Sequence, residues 1–166
     1  MAHPHPDSER YAVRCGVITV SDTRSPETDK SGKLIKDFLS EAGHQIKFYQ
    51  VVKDDPEAIE TLLKSLAKKD LDAILLNGGT GIAPRDNTFD VVARLLEKIL
   101  PGFGEIFRML SYEEIGSRAI ASRAVAGTYR SQVVFSMPGS SGAVRLAMTK
   151  LILPEIRHLV KQLTGK

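Results

Sequence analysis

"DAILLNGGTGIAPRDNTFDVVARLLEKI", residues 72–99, changes character twice along its length. It opens on DAILLN (72–77), a short apolar run bounded by turn signals, the pattern of a fully buried parallel strand. It then passes through NGGTGIAPRDNT (77–88) and closes on NTFDVVARLLEKI (87–99), whose apolar spacing predicts a helix. A strand that runs through a glycine-rich loop into a helix is the opening half of a βαβ unit.

The same alternation extends outward in both directions. AVRCGVITV (12–20) predicts a buried strand and SGKLIKDFLSEAG (31–43) a helix with Gly43 as its C-terminal cap. HQIKFYQVV (44–52) alternates like a strand, and PEAIETLLKSLAKK (56–69) begins with proline and ends in lysines, as a helix should. Downstream, FGEIFRMLSYEEIG (103–116) predicts a helix. RAIASRAVAGTY (118–129) and SQVVFSMPG (131–139) predict strands near a hairpin, and 142–163 a last helix with a possible kink at Pro154. Strands and helices in this order predict an α/β fold with a mostly parallel sheet covered on both faces. In such sheets ligands bind outside the carboxyl ends of the strands, so the loops that follow strands are the ones to read chemically.

Composition sets the limits. With 166 residues the chain is long enough for one domain with a proper core, predicted here as a flexible tail over 1–11 and a single domain over 12–166. Nothing approaches the ~20 apolar residues of a membrane span, and MAHPHPDSER has no apolar signal core. His3 and His5 in that tail read as solvated. The single cysteine, Cys15, rules out an internal disulfide framework and reads as a buried small hydrophobe, which fits a reducing cytoplasm. A net charge of +3 comes without a Lys/Arg block, so no nucleic-acid partner is expected; the mild excess suits a small anionic ligand equally well.

Four post-strand loops carry polar or glycine clusters: 21–32, 53–57, 77–88 and 137–143. Gly78, Gly79 and Gly81 allow close backbone approach, and their amides with the Thr80 hydroxyl could cradle phosphate oxygens. A tight turn wants glycine too, and glycine alone leaves the two readings even. The sequence is neither a Walker A loop nor a dinucleotide fingerprint. Asp86 or Asn87 fits a plain N-cap for the helix that follows, yet a cap does not explain Arg85 beside it or the second carboxylate at Asp90. Carboxylates next to a phosphate cradle make sense if they hold Mg²⁺, with Asp54 and Asp55 at the neighbouring strand end as further oxygens. Helix-start charge ahead of Pro56 is the plainer reading of that pair. PGSSG offers a second small-residue loop opening a helix, and PGFGE (101–105) reads as a glycine-rich helix lead-in or a tight turn between helices.

TVSDTR (19–24), NGGTGIAPRDNT, LPGFGEIFRMLS (100–111) and SMPGSSGAV (136–144), in this order, resemble the molybdenum cofactor biosynthesis family of the MogA/MoaB type, related to the G domain of gephyrin. The resemblance spans about residues 12–163 and is strongest to the MoaB branch. PGSSGA departs from the Pro-Gly-x-Pro form common among MogA-like members. The resemblance implies a three-layer α/β/α sandwich with a short antiparallel edge, assembled as a homotrimer or homohexamer. It implies a molybdopterin adenylyltransferase: molybdopterin and MgATP give adenylyl-molybdopterin and pyrophosphate, ready for a molybdate-inserting partner protein. Active and non-active members share this fold, so a non-catalytic molybdopterin-binding protein is the alternative. A generic nucleotide-binding domain would explain the glycine loop but not the other motifs. By motif position the family's two important aspartates fall on Asp54 and Asp86, the expected catalytic and Mg²⁺-linked pair. Asn77 to Gly81, with Arg85 and Thr88, would bind phosphate; Ser21 and Asp22 would line the pocket. Pro138, Gly139, Ser140 and Ser141 would face the pterin or nucleotide.

Overall fold

A computed structural model describes residues 11–165. The expected tail, with His3 and His5, lies outside them except for Tyr11. Tyr11 is tied to the last helix: its hydroxyl donates to the Arg157 carbonyl, and Arg157 Nε donates back to the Tyr11 carbonyl.

Six strands form one sheet: β1 (Arg14–Val20), β2 (Gln45–Val52), β3 (Ala73–Asn77), β4 (Lys98–Ile99), β5 (Val125–Tyr129) and β6 (Gln132–Met137), in the order β2-β1-β3-β6-β5-β4. The β2, β1, β3 and β6 ladders are parallel, while β5 and β4 form an antiparallel edge. All five residues of β3 are buried, as expected for a strand covered on both faces. Side-chain alternation divides the core. Cys15, Val17, Ala73, Leu75, Val133 and Phe135 pack on one face with Ile35, Phe103, Phe107, Val144, Ile156 and Val160. These last come from α1 (Lys30–Glu41), α4 (Pro101–Ile115), α5 (Ser141–Ala147) and α6 (Leu153–Thr164). Ile18, Ile74, Leu76 and Val134 face the other way, against Ile59 and Leu63 of α2 (Pro56–Leu66) and Val91 and Val92 of α3 (Thr88–Leu95). The expected three layers are therefore present.

Local boundaries differ from the sequence expectation at three places. The helix expected over 87–99 stops at Leu95, because Lys98–Ile99 pairs with β5 and adds the edge strand. RAIASRAVAGTY is strand only from Val125; residues Gly116–Ala121 form a 3₁₀ helix continuing α4. PGFGE is no lead-in: Pro101 occupies the first helical position of α4. At Pro154, which cannot donate a backbone hydrogen bond, the chain passes through a π-helical turn over Met148–Ile152 before α6. Gly43 follows α1 with φ 82° and donates to the Ser40 carbonyl, the expected helix stop.

Chain direction matters for function. From β1 the chain moves to β2 on one side and then returns to β3 on the other side of β1. The loops leaving β1 and β3 therefore diverge, and a crevice opens between their carboxyl ends, the place where doubly wound sheets bind ligands.

Candidate functional site

Asn77, the last residue of β3, closes the floor of that crevice. It is fully buried: its amide nitrogen donates to Thr19 Oγ1 (2.9 Å) and the Ile18 carbonyl (3.3 Å), and its oxygen accepts from Ser31 Oγ (2.7 Å). The side chain staples β3 to β1 and to the start of α1, so Asn77 shapes the site from beneath. Beside it Asp29 caps α1 through the Gly32 amide and accepts from the Tyr49 hydroxyl. Burial works against the Asp29 charge, but hydrogen bonds from Thr19, Tyr49, Gly32 and Ser31 together outweigh it and hold the carboxyl below its usual range.

Above this floor the loop 78–87 turns sharply. Gly78 (φ 99°) donates to the Met137 carbonyl, and Gly79 (φ 67°) accepts from the Thr88 amide. A Cβ on Gly139 would stand 3.3 Å from Gly78 Cα, so the PGSSG loop rests directly on the glycine loop. Ser140 caps α5 through the Ala143 amide, and Ser141 is exposed beside it. Pro138 is half-buried at the end of β6. Among the described residues the amides of Gly79, Thr80, Gly81 and Ile82 have no internal acceptor, which leaves them free to meet a ligand.

The acidic residues converge here from three loops. Asp54, just after β2, accepts from the Asn87 amide (3.2 and 3.3 Å) and from the Thr88 hydroxyl (3.4 Å). Asn87 holds the N-cap position of α3, one of the two expected places, but makes no side-chain cap bond; its side chain donates to the Arg85 carbonyl, and Asp54 accepts from its backbone amide. Asp86 accepts from the Ala83 amide (3.0 Å) inside its own loop. Asp22 accepts from the Asp54 amide (3.2 Å) and pairs with Arg85, joining the loops after β1, β2 and β3. Burial holds Asp54 above the usual carboxylate range, and the like charges of Asp86 and Asp22 add to this, against the Asn87 amide and Thr88 hydroxyl. A cation would relieve that repulsion. Ser21 binds the Val52 carbonyl through its amide, and its hydroxyl accepts from the amides of Thr23 and Arg24. Asp55 caps α2 through the Ala58 amide, the plainer of its two readings.

Arg123 was not anticipated. It reaches back from the segment before β5 and donates to the carbonyls of Gly81 (2.6 and 3.0 Å), Thr80 (3.3 Å) and Asp86 (3.2 Å). It also pairs with Asp90 (3.1 Å) and lies over the Phe89 ring.

The sequence profile described as "Probable molybdopterin binding domain" matches residues 16–158. The chain belongs to the molybdenum cofactor biosynthesis family of the MogA/MoaB type. Over 153 residues it is 60% identical to molybdenum cofactor biosynthesis protein B of Bacillus subtilis (strain 168), covering 91% of this chain and 90% of that one. The crystal structure of a molybdenum cofactor biosynthesis protein B superposes with a TM-score of 0.91 at 54% identity, over 94% of this chain and 98% of that one. The tungsten cofactor synthesizing protein MoaB from Pyrococcus furiosus superposes with a TM-score of 0.83 at 38% identity, over 93% and 98%. This family membership accounts for the shared fold and for a family match over most of the chain.

The donor set fits a hard divalent cation of the Mg²⁺ kind. Such an ion takes one or two carboxylates and leaves its other positions to water and substrate phosphates. Asp54 and Asp86 flank the glycine loop closely: a Cβ on Gly79 or on Gly81 would each stand 2.7 Å from a carboxylate oxygen, of Asp54 and Asp86 respectively. Among the described residues no group of three or more His, Cys, Asp or Glu side chains could form a metal site unaided. None of the described helices is long and apolar enough to cross a membrane.

Proposed function

We propose that the chain is a molybdopterin adenylyltransferase, using MgATP to convert molybdopterin to adenylyl-molybdopterin with release of pyrophosphate. The observation that carries this reading is the approach of Asp54 and Asp86 to a glycine loop whose amides are free, within a molybdopterin-family fold. The loop amides, with Arg85 nearby, would hold the triphosphate. Asp54 and Asp86 would hold Mg²⁺, whose charge would neutralise the phosphate oxygens as the transfer proceeds. The terminal phosphate of molybdopterin, already ionised, attacks the α-phosphorus; the bond to pyrophosphate breaks and pyrophosphate leaves. The protein's part is to align the two phosphates and stabilise charge, so no general base is needed. Ser140 and Ser141, exposed on the loop against Gly78, would meet the pterin or the nucleotide. The reaction is placed in the cytoplasm, where ATP is at hand, with the product passed to a molybdate-inserting partner protein.

The alternative is a non-catalytic molybdopterin-binding protein of the same fold. Asp54 and Asp86 each accept a backbone amide, a structural task that both readings share. Pyrophosphate release from ATP, Mg²⁺ and molybdopterin separates the two readings. Release by the wild type and loss in Asp86→Asn supports transfer; tight pterin binding without release refutes it.

Assembly as a homotrimer or homohexamer belongs to the same proposal. Ile106, Met109, Tyr112 and Ile115 recur at three-residue intervals on the outer face of α4 and are 43–63% exposed, with Ile120 at 89%. An apolar stripe of this kind on a domain that already has two buried cores is a surface suited to copies of the chain.

A further inference from the structure

We propose that Arg123 is the positioning residue of the site: one guanidinium sets both the unpaired Gly81 and Ile82 amides of the glycine loop and the seat of Asp54. The inference rests on the reading of that loop as an anion cradle and names the residue that would give it its shape.

The argument follows from peptide geometry. A trans peptide is planar, with its N–H and C=O pointing in opposite directions. Arg123 donates to the Thr80 carbonyl, and the N–H of that peptide belongs to Gly81. It donates twice to the Gly81 carbonyl, and the N–H of that peptide belongs to Ile82. Drawing both carbonyls toward the guanidinium turns both amides away from it, and among the described residues neither has an internal acceptor. The third carbonyl is that of Asp86, and the N–H of its peptide belongs to Asn87. The Asn87 amide is the one that donates to both oxygens of Asp54. A single peptide plane thus separates the guanidinium from the Asp54 carboxylate.

Arg123 is itself held from two sides, by the Asp90 carboxylate and by the face of the Phe89 ring, whose centroid lies 4.8 Å from the guanidinium carbon. Both residues sit in the first turn of α3, the helix that Asp54 caps. Guanidinium, cap and helix start form one unit, and only a planar fork with several donors can serve three carbonyls and a carboxylate at once. A lysine keeps the charge opposite Asp90 but has no fork to span the carbonyls.

Wild type, Arg123→Gln and Arg123→Lys decide the matter with three measurements: thermal unfolding, ¹H–¹⁵N amide spectra, and MgATP turnover with molybdopterin. Both variants are expected to unfold cooperatively, to move the Gly81, Ile82 and Asn87 amide signals, and to lose about 10²-fold in kcat, the scale of a misplaced reacting group. Arg123→Lys recovering most of the rate would overturn the fork argument, since charge alone would then suffice. Unmoved amide signals in Arg123→Gln would overturn the positioning role, whatever the activity. If the wild type neither binds nor turns over MgATP, the cradle reading falls and the claim that Arg123 serves it falls too; the Asn87 signal still decides whether Arg123 seats Asp54.

Discussion

Alanine at Gly78, Gly79 and Gly81 should produce a graded series, because the three glycines are confined by different kinds of neighbour. A Cβ on Gly81 would meet only the Asp86 carboxylate, at 2.7 Å, a side chain that can swing aside, and the Gly81 backbone has no positive φ. A Cβ on Gly79 would collide with the Thr88 hydroxyl and stand 2.7 Å from Asp54 Oδ2, at a φ of +67°. The left-handed backbone costs alanine about 1–2 kcal/mol, and the displaced Thr88–Asp54 hydrogen bond about 1 kcal/mol more. Gly79→Ala should therefore lose about 2–3 kcal/mol by these two contributions. Gly78 is worse placed: at φ +99° its Cβ would run into the Val20 carbonyl, backbone at the end of β1 that cannot move without disturbing the sheet. The expected order of destabilisation is Gly78 well above Gly79, and Gly79 above Gly81. Urea unfolding at one fixed protein concentration measures it, and MgATP binding by calorimetry reports the site in the folded variants. Gly81→Ala should keep its stability and lose activity through Asp86. A Gly79→Ala protein as stable as Gly81→Ala, or a well-folded Gly78→Ala protein, would refute the steric reasoning.

His44 is buried, accepts the Val13 amide through Nδ1 and has no partner at Nε2. Burial, with the nearby positive charge of Arg157, pushes its pKa down to about 4. The unfolded chain binds this proton near 6.5 and the folded one only near 4, so the loss of stability begins as pH falls below 6.5 and is complete near 4. At 1.36 kcal/mol per pH unit the full effect is at most about 3 kcal/mol, and His44→Gln should flatten the acid limb of a stability–pH curve. Cys15 is fully buried with its thiol pushed up to about 12 by desolvation, so thiol reagents at neutral pH should label it only as fast as the protein opens. If copies of the chain assemble through the outer face of α4, Met109→Asp combined with Tyr112→Asp should shift sedimentation toward monomer without lowering helix content.

The layered sheet was legible because each element announces itself locally. AILL (73–76) is an unbroken apolar run and makes up most of the wholly buried β3; HQIKFYQVV alternates and becomes β2, the outermost parallel strand, whose exposure alternates over Gln45–Phe48. What local pattern cannot show is competition between partners. Residues 96–99 continue a helical spacing, but β5 offers a free ladder, and Lys98–Ile99 take strand pairing instead. RAIASRAVAGTY is apolar enough for strand along its whole length; its first half nevertheless continues α4 as a 3₁₀ turn, and the strand starts only where β6 can pair with it.

The site shows the same division, and there it bears on chemistry. The loops were recognisable because glycine, proline and carboxylates are what tight post-strand loops need. The partnerships within them were not. The rule that a helix takes its cap from the residue before it pointed to Asp86 or Asn87, yet the carboxylate that accepts the Asn87 amide comes from Asp54, 33 residues earlier. The arginine that orders the loop stands 37 to 43 residues after the carbonyls it binds, in a stretch that reads as strand. These long-range choices have a physical consequence. The Asn87 amide and the Thr88 hydroxyl hold the Asp54 side chain at the N-terminus of α3 whether or not a ligand is present. Asp54 is therefore held in place against the glycine loop before any cation arrives, and the Asp86 carboxylate, bound only by the Ala83 amide of its own loop, is the one left freer to adjust. If the site transfers a nucleotide, replacing Asp54 should disturb both α3 and the chemistry, whereas replacing Asp86 should leave the fold intact and remove the chemistry alone.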